Sequence, residues 1–338
     1  MRTYVLKRLL LMIPTTIGIT MIVFLIAYAA PGDPFERRSL DQQGLAQQGK
    51  LARERKEILQ KFYHLDRDPV TGYFLWLRDF FDTEKNISID TREFTLTRIA
   101  RALPITVFLN VVSLVIIYLL AIPIGVDAAV HAGTSRVRAT TATLFVLYAL
   151  PTFWVASLLK LYMGSPQHLH WFPVHGIAPD NADDLSLVAF IAAAIPFMVL
   201  PLVCYTYGGL AGLSRYMRAG MLDVIRQDYV RTARAKGLPE SVVLWRHAFR
   251  NALIPMVTLA AGLLPGLLGG SVIIETIFGI PGMGKLGFDS ATSKDFPMVN
   301  TIALIGAILV QLGILLSDLA YAWVDPRITF EGGEEATG

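Results

Sequence analysis

Six uncharged runs divide the chain: residues 9–30, 102–126, 139–159, 185–214, 251–274 and 296–317. Each is close to or above the roughly 20 residues a helix needs to cross hydrocarbon, so the pattern predicts six membrane-spanning helices. A cleaved leader is the rival for the first run, because AYAA ends it in small residues. A leader's apolar core is usually about 7–15 residues, and this longer run after Arg2, Lys7 and Arg8 reads as a retained span. Pro14, Pro123, Pro151, Pro196, Pro201, Pro255 and Pro265 fall inside or at the edge of these runs. Each removes an intrahelical hydrogen bond, which membrane helices tolerate where neighbouring protein or water satisfies the freed carbonyl. Gly262, Gly266, Gly269 and Gly270 give the fifth run a small-residue face, read as a helix-packing surface rather than a pore lining.

The polar segments between the runs orient them. Short loops rich in Lys and Arg stay on the cytoplasmic side. The N-terminus, the 127–138 loop with Arg136 and Arg138, and the basic 215–250 segment then fall inside, and the Lys/Arg-free 161–184 loop falls outside. Six spans place both termini in the cytoplasm. Residues 31–101 must lie outside despite thirteen bases, which twelve acids nearly balance; the segment is too long and too acidic to follow the short-loop rule. Within it KLARERKEILQKFYHL has a helical pattern with Leu51, Ile58, Leu59 and Phe62 as its apolar face. YFLWLRDFF fits a small folded cap or an interfacial stretch. The expected organisation is an anchor helix at 1–30, an extracytoplasmic insert at 31–101, a transmembrane domain at 102–325 and a cytoplasmic tail at 326–338.

Composition supports the membrane reading. The 338 residues are 54% hydrophobic and only 17% charged, against about one quarter charged in a soluble domain. The net charge of +3 implies no nucleic-acid partner. The single Cys204 excludes an intrachain disulfide and reads as a buried structural thiol.

Candidate chemistry is sparse. FGIPGMGKLG carries Gly279, Gly284 and Lys285 at phosphate-loop spacing, but Leu286 stands where a magnesium-binding Ser or Thr is needed, and no strand precedes it. It reads as a turn leading back to the sixth span. His168, His170 and His175 cluster in an external loop beside Trp171 and Phe172. Metal binding by the three competes there with a plain interfacial role. Asp127, Glu275 and Asp318 lie at the ends of spans, where solvation or a basic neighbour is within reach, and none is a midplane proton relay. No catalytic acid–base or nucleophile set is present, so no enzymatic activity is expected within the chain.

The most distinctive stretch is Arg215–Pro255. Between Arg215 and Arg250 it holds eight Lys/Arg against Asp223, Asp228 and Glu240. Met221, Ile225, Tyr229 and Ala233 recur every fourth residue, one face of a helix that Gly237 is placed to end. Pro239 and Glu240 suit the first turn of a short second helix running through Trp245. From periodicity alone this is either a basic amphipathic loop on anionic lipid or a helix–turn–helix offered to a protein.

RQDYVRTARAKGLPESVVLWRHAFRNALIP resembles the EAA loop of bacterial ABC importer permeases, in the dipeptide/oligopeptide group. The likeness extends to APGDP after the first run, IPIGV, LPTFW, GGSVIIETIFGIPGMGKL, KDFPMV and DPRITF. The long first external segment is similar to that of the B-type subunit, and WFPVHG, LWRHAFRN and DPRITFEG to the branch that imports longer oligopeptides and microcin C-like peptides. Arg231 and Thr232 depart from the Glu-Ala opening of the loop pattern, whereas Ala233 and Gly237 match it. The resemblance implies an all-α polytopic membrane protein with the six transmembrane helices of the type I ABC importer permease fold. It implies a heterodimer with a second permease, two ATP-binding subunits that hold ATP and magnesium outside this chain, and a periplasmic or lipid-anchored substrate-binding protein delivering peptides at the inner membrane. It places coupling to the ATPases on Arg231, Thr232, Ala233, Gly237, Leu238, Pro239, Glu240 and Trp245. A permease for nickel, glutathione or another small solute, a proton-coupled transporter and a membrane scaffold are the alternatives.

Overall fold

The computed structural model describes residues 2–29, 57–58, 61–64, 66–179 and 186–324. Of the apolar face expected at Leu51, Ile58, Leu59 and Phe62, Leu51 and Leu59 lie outside these residues, as does the 326–338 tail, while Ile58 and Phe62 are exposed. The described chain is built of helices: α1 Arg2–Ala29, α2 Pro69–Arg78, α3 Thr95–Val130, α4 Ser135–Ala149, α5 Thr152–Leu159, α6 Leu187–Ile225, α7 Asp228–Ala235, α8 Glu240–Val242, α9 Arg250–Leu263, α10 Val272–Phe278, α11 Met283–Thr292 and α12 Phe296–Val324. Four of them, α1, α3, α6 and α12, are long and apolar enough to cross a membrane alone.

The third and fifth expected spans are broken. The third is a pair, α4 followed by α5 with its π-helical end Lys160–Gly164, bent by 94°. Pro151 sits at the bend as the N-cap of α5, where proline's missing N–H is harmless. The fifth runs from Glu240 to Ala260, passes a 3₁₀ turn at Leu264–Leu268 containing Pro265, and continues to Phe278 with a 52° bend. Counting each pair as one span gives six. Pro14, Pro123, Pro196, Pro201 and Pro255 lie within helices.

The second span begins before its uncharged run. Arg98 and Arg101 belong to the first two turns of α3, and Asp127 to its last. At 36 residues, or roughly 54 Å at 1.5 Å per residue, α3 exceeds the about 30 Å of hydrocarbon, so charged turns fit outside it. Arg101 meets Glu93 at 3.3 Å, and Arg136 pairs with Asp127.

The main helix pair is α3 on α6, and α1 packs against α12. A Cβ on Gly125 would lie 2.5 Å from Met217 Cβ and 2.6 Å from Ser214 O, so the close crossing of α3 and α6 needs glycine there. Tyr4 Oη donates to Asp318 at 2.6 Å and Arg8 pairs with the same carboxylate at 2.9 Å, closing α1 onto α12. Cys204 is buried, as expected. Within the glycine face expected on the fifth span, a Cβ on Gly266 would meet nothing, whereas Gly270 is a left-handed turn residue (φ +64°) whose Cβ would lie 2.6 Å from Glu275 Oε1.

The described part of the insert folds onto the bundle. Tyr73, Trp76 and Phe80 pack with Phe24 of α1 and Leu304 of α12. Buried Asp295 accepts from Ser88 Oγ and from the Ile89 amide at 3.0 Å, joining the insert to the start of α12. Asp79 accepts from Arg78, His64 and Lys85. The Arg78 hydrogen bond is the main cause that holds its carboxyl well below the usual range. A carboxylate depressed in the folded state adds stability above its unfolded pKa, lost as pH falls. The insert is therefore expected to keep its packing at neutral pH and to loosen only below about pH 4. Trp76 fluorescence in an acid titration reads this, and a transition shared unchanged by Asp79→Asn would contradict it.

Candidate functional site

The segment after α6 folds as one compact tip. The helix expected to run through Met221, Ile225, Tyr229 and Ala233 is interrupted: α6 ends at Ile225, and Gln227 is the extended N-cap of α7. The break turns α7 back onto the bundle, so Val230 (0% exposed) and Ala233 (5%) enter the cluster of Met217, Met221, Val243 and Ala248. Tyr229, by contrast, is 42% exposed. Asn251 Nδ2 donates to Tyr229 Oη at 2.7 Å, tying α7 to α9.

Gly237 ends this short helix as expected. Its φ is +75°, a region open to glycine without a Cβ penalty, and its N–H donates to Arg234 O at 2.9 Å. Pro239 follows as the N-cap of α8, with Glu240 in the first turn. The short separate helix expected at Leu238–Trp245 is absent. From Glu240 the chain passes through the π-helical Val243–Phe249 directly into α9. The free-standing short helix is α7. The i→i+5 pattern through Val243–Phe249 keeps Val243 and Ala248 buried.

Across the turn, Arg234 Nη2 donates to Glu240 Oε1 at 2.7 Å, and Nε lies 3.2 Å from both carboxylate oxygens. This fork closes the turn and keeps the exposed Glu240 carboxyl below its ordinary pKa. Arg231 pairs with Asp228 at 3.5 Å, and Thr232 Oγ1 donates to Asp228 O at 2.8 Å.

Seven of the eight sequence-selected residues, Arg231, Thr232, Gly237, Leu238, Pro239, Glu240 and Trp245, are exposed on this tip. Ala233 is not: it packs inward and positions α7 instead of facing outward. Tyr229 was chosen in sequence as part of an apolar face, and the break in the helix is what exposes it. Trp245 is 55% exposed and stacks edge-on with Phe249 at 5.0 Å. The outcome is a basic surface studded with Tyr229, Leu238 and Trp245, held on a buried apolar base.

The opposite end carries a second polar centre. Glu275 is fully buried, and among the described residues it meets neither of the two expectations for its place near the end of a run, solvation or a basic side-chain partner. Its carboxylate accepts from Lys285 N at 2.8 Å, Thr106 Oγ1 at 3.1 Å, Ser271 N at 3.3 Å and Tyr205 Oη at 3.4 Å. These groups come from α3, α6 and the α10–α11 hairpin. Gly270, Gly282 and Gly284 leave the room: a Cβ on Gly282 would lie 2.6 Å from the carboxyl group. The GIPGMG stretch is thus a turn wrapped around a carboxylate. Left-handed Gly279 caps α10 (φ +65°), and Gly282 opens α11. Among the described residues no group of three or more His, Cys, Asp or Glu is placed to hold a metal. His168 stacks on Tyr162 at 5.0 Å, and His170 Nδ1 lies 3.1 Å from Gly164 O.

The model of the binding-protein-dependent transport system inner membrane component family matches residues 121–330. The chain is 36% identical to the oligopeptide transport system permease protein AppB of Bacillus subtilis (strain 168), over 98% of this chain and all of that one. It is 31% identical to the peptidoglycan transport system permease protein YejB of Agrobacterium fabrum, with 98% and 99% covered. Against the dipeptide transport system permease protein DppB of Lactococcus lactis it is 32% identical, with 96% and 98% covered.

Proposed function

Because this chain belongs to the binding-protein-dependent transport system inner membrane component family, a family of multi-pass inner-membrane transport subunits, we propose that it is a permease subunit of an ATP-driven importer of di- and oligopeptides. Its relatives in oligopeptide and dipeptide transport support the substrate class, aligned along nearly the full length of both chains. A second permease completes the translocation path, and a substrate-binding protein delivers the peptide on the outer side. ATP and magnesium are held by two separate ATPase subunits, and this chain catalyses nothing. Both of its termini lie in the cytoplasm.

The observation that carries the coupling role is the exposed tip at Asp228–Trp245. With α6 roughly 58 Å long at 1.5 Å per residue and hydrocarbon only about 30 Å thick, this tip lies beyond the membrane. It presents Tyr229 and Trp245 beside arginines, the residue types enriched in protein–protein hot spots. Its base is buried with α3, α6 and α9, so displacement of α7 by a partner moves the ends of three membrane helices. Nucleotide-driven closure of the ATPases then rocks these helices between outward- and inward-open arrangements.

The test is ATPase activity and peptide uptake in liposomes holding the complete transporter. Gly237→Val forces a β-branched residue into the left-handed region, a local cost of about 1–2 kcal/mol. Peptide-dependent stimulation of ATPase activity is expected to fall severalfold while the complex still assembles. Unchanged stimulation in Gly237→Val and in Glu240→Ala would sink the coupling role.

A further inference from the structure

Beside the tip, and independent of the coupling role, lies a cavity of about 850 Å³ between α3, α4 and α6. Arg215 and Arg218 line it together with Thr140 and Thr141, and its apolar wall includes Ile124, Leu144 and Leu222. Arg218 Nε is buried without a hydrogen-bond partner among the described residues, and neither arginine forms an ion pair there. A buried guanidinium donor left unpaired is costly, and an oxyanion satisfies it best.

Depth identifies the anion's source. Arg215 stands 28 residues after Leu187, roughly 42 Å along the helix. A bilayer including both headgroup layers is about 40–45 Å thick, so a helix entering at the outer surface brings Arg215 and Arg218 to the inner headgroup layer. Leu144 lies one turn further along α4 than Thr140 and Thr141, toward the membrane interior. Cationic and hydroxyl groups at headgroup level, with an aliphatic wall leading inward, match the two ends of a phospholipid.

We propose that this cavity is a binding site for an anionic phospholipid of the inner leaflet. The phosphate is held by Arg215 and Arg218, and one acyl chain lies along Ile124 and Leu144. The lipid fills the space between α4 and the α3–α6 pair and satisfies Arg218 Nε.

The test uses the purified full chain in nanodiscs that mix phosphatidylglycerol with phosphatidylcholine, with native mass spectrometry of the lipid retained. Phosphatidylglycerol is expected to be retained selectively. Arg215→Gln and Arg218→Gln should each weaken retention about fivefold, from ~1 kcal/mol per basic residue at a membrane surface. Arg218→Lys should restore most of it, and Arg92→Gln in the insert should leave it unchanged. Leu144→Trp, which narrows the cavity but keeps both arginines, should also displace the lipid. Equal retention of the zwitterionic lipid, or retention unaffected by the arginine and Leu144 substitutions, overturns the site. So does displacement by inorganic phosphate or a short peptide at the arginines with no phosphatidylglycerol preference, since either marks a site for free anions.

Discussion

Glu275→Ala is expected to destabilise the protein by about 1–3 kcal/mol, the usual scale for removing the partner of a buried hydrogen-bonding group. The carboxylate is fully buried and gathers donors from α3, α6 and the α10–α11 hairpin. Removing it leaves the Lys285 amide without its acceptor, whereas the Ser271 amide keeps Tyr205 Oη at 3.1 Å; an unpaired buried donor costs about 1–3 kcal/mol. Glu275→Gln keeps one acceptor oxygen but turns an NH₂ toward groups that donate, so its loss should be intermediate. Thermal unfolding of the purified chain in detergent measures both. If parent, Gln and Ala proteins unfold at the same temperature, the carboxylate does not hold this corner together.

Trp245→Ala is expected to act in the opposite way, sparing the fold and impairing assembly. The side chain is 55% exposed, and its described ring contact is with Phe249, so stability should change by less than about 0.5 kcal/mol. In a partner's groove a buried tryptophan is a typical hot spot worth about 2 kcal/mol or more, equal to roughly a 30-fold loss of affinity. Leu238→Ala should show the same pattern more weakly, since the side chain is smaller and 38% exposed. Equilibrium binding of the purified ATPase subunit to the reconstituted chain is the measurement, with unfolding temperature as the control. A loss of affinity below twofold for Trp245→Ala would remove the tip from the interface; a large drop in unfolding temperature would show that Trp245 is structural.

The helix-forming runs were readable because hydrocarbon imposes a length and excludes charge, and both are one-dimensional properties. Gly237 and Pro239 were equally legible, since a left-handed turn and a helix start each demand a residue type locally. Ala233 was legible as part of the loop pattern and, by its spacing from Met221, as part of one helical face, and both pack inward. Tyr229 was placed on the same face but is exposed, because the chain breaks at Arg226–Gln227, where no strong helix breaker stands. Glu275 escaped for a related reason: near the end of an apolar run, a carboxylate beside solvent and one enclosed by three glycines have the same local sequence.

Residue order alone therefore determined a polytopic helical membrane protein with a basic loop between its fourth and fifth spans, because burial in lipid is enforced segment by segment. The tertiary structure decided how the segments bend and which faces remain free. It broke the third and fifth spans near Pro151 and Pro265, turned α7 onto the core cluster, and joined α8 to α9 through a π-helical stretch instead of leaving a separate short helix. Those outcomes depend on contacts between residues far apart in the chain, such as Val230 with Val243 and Thr106 with Glu275. No local periodicity encodes them.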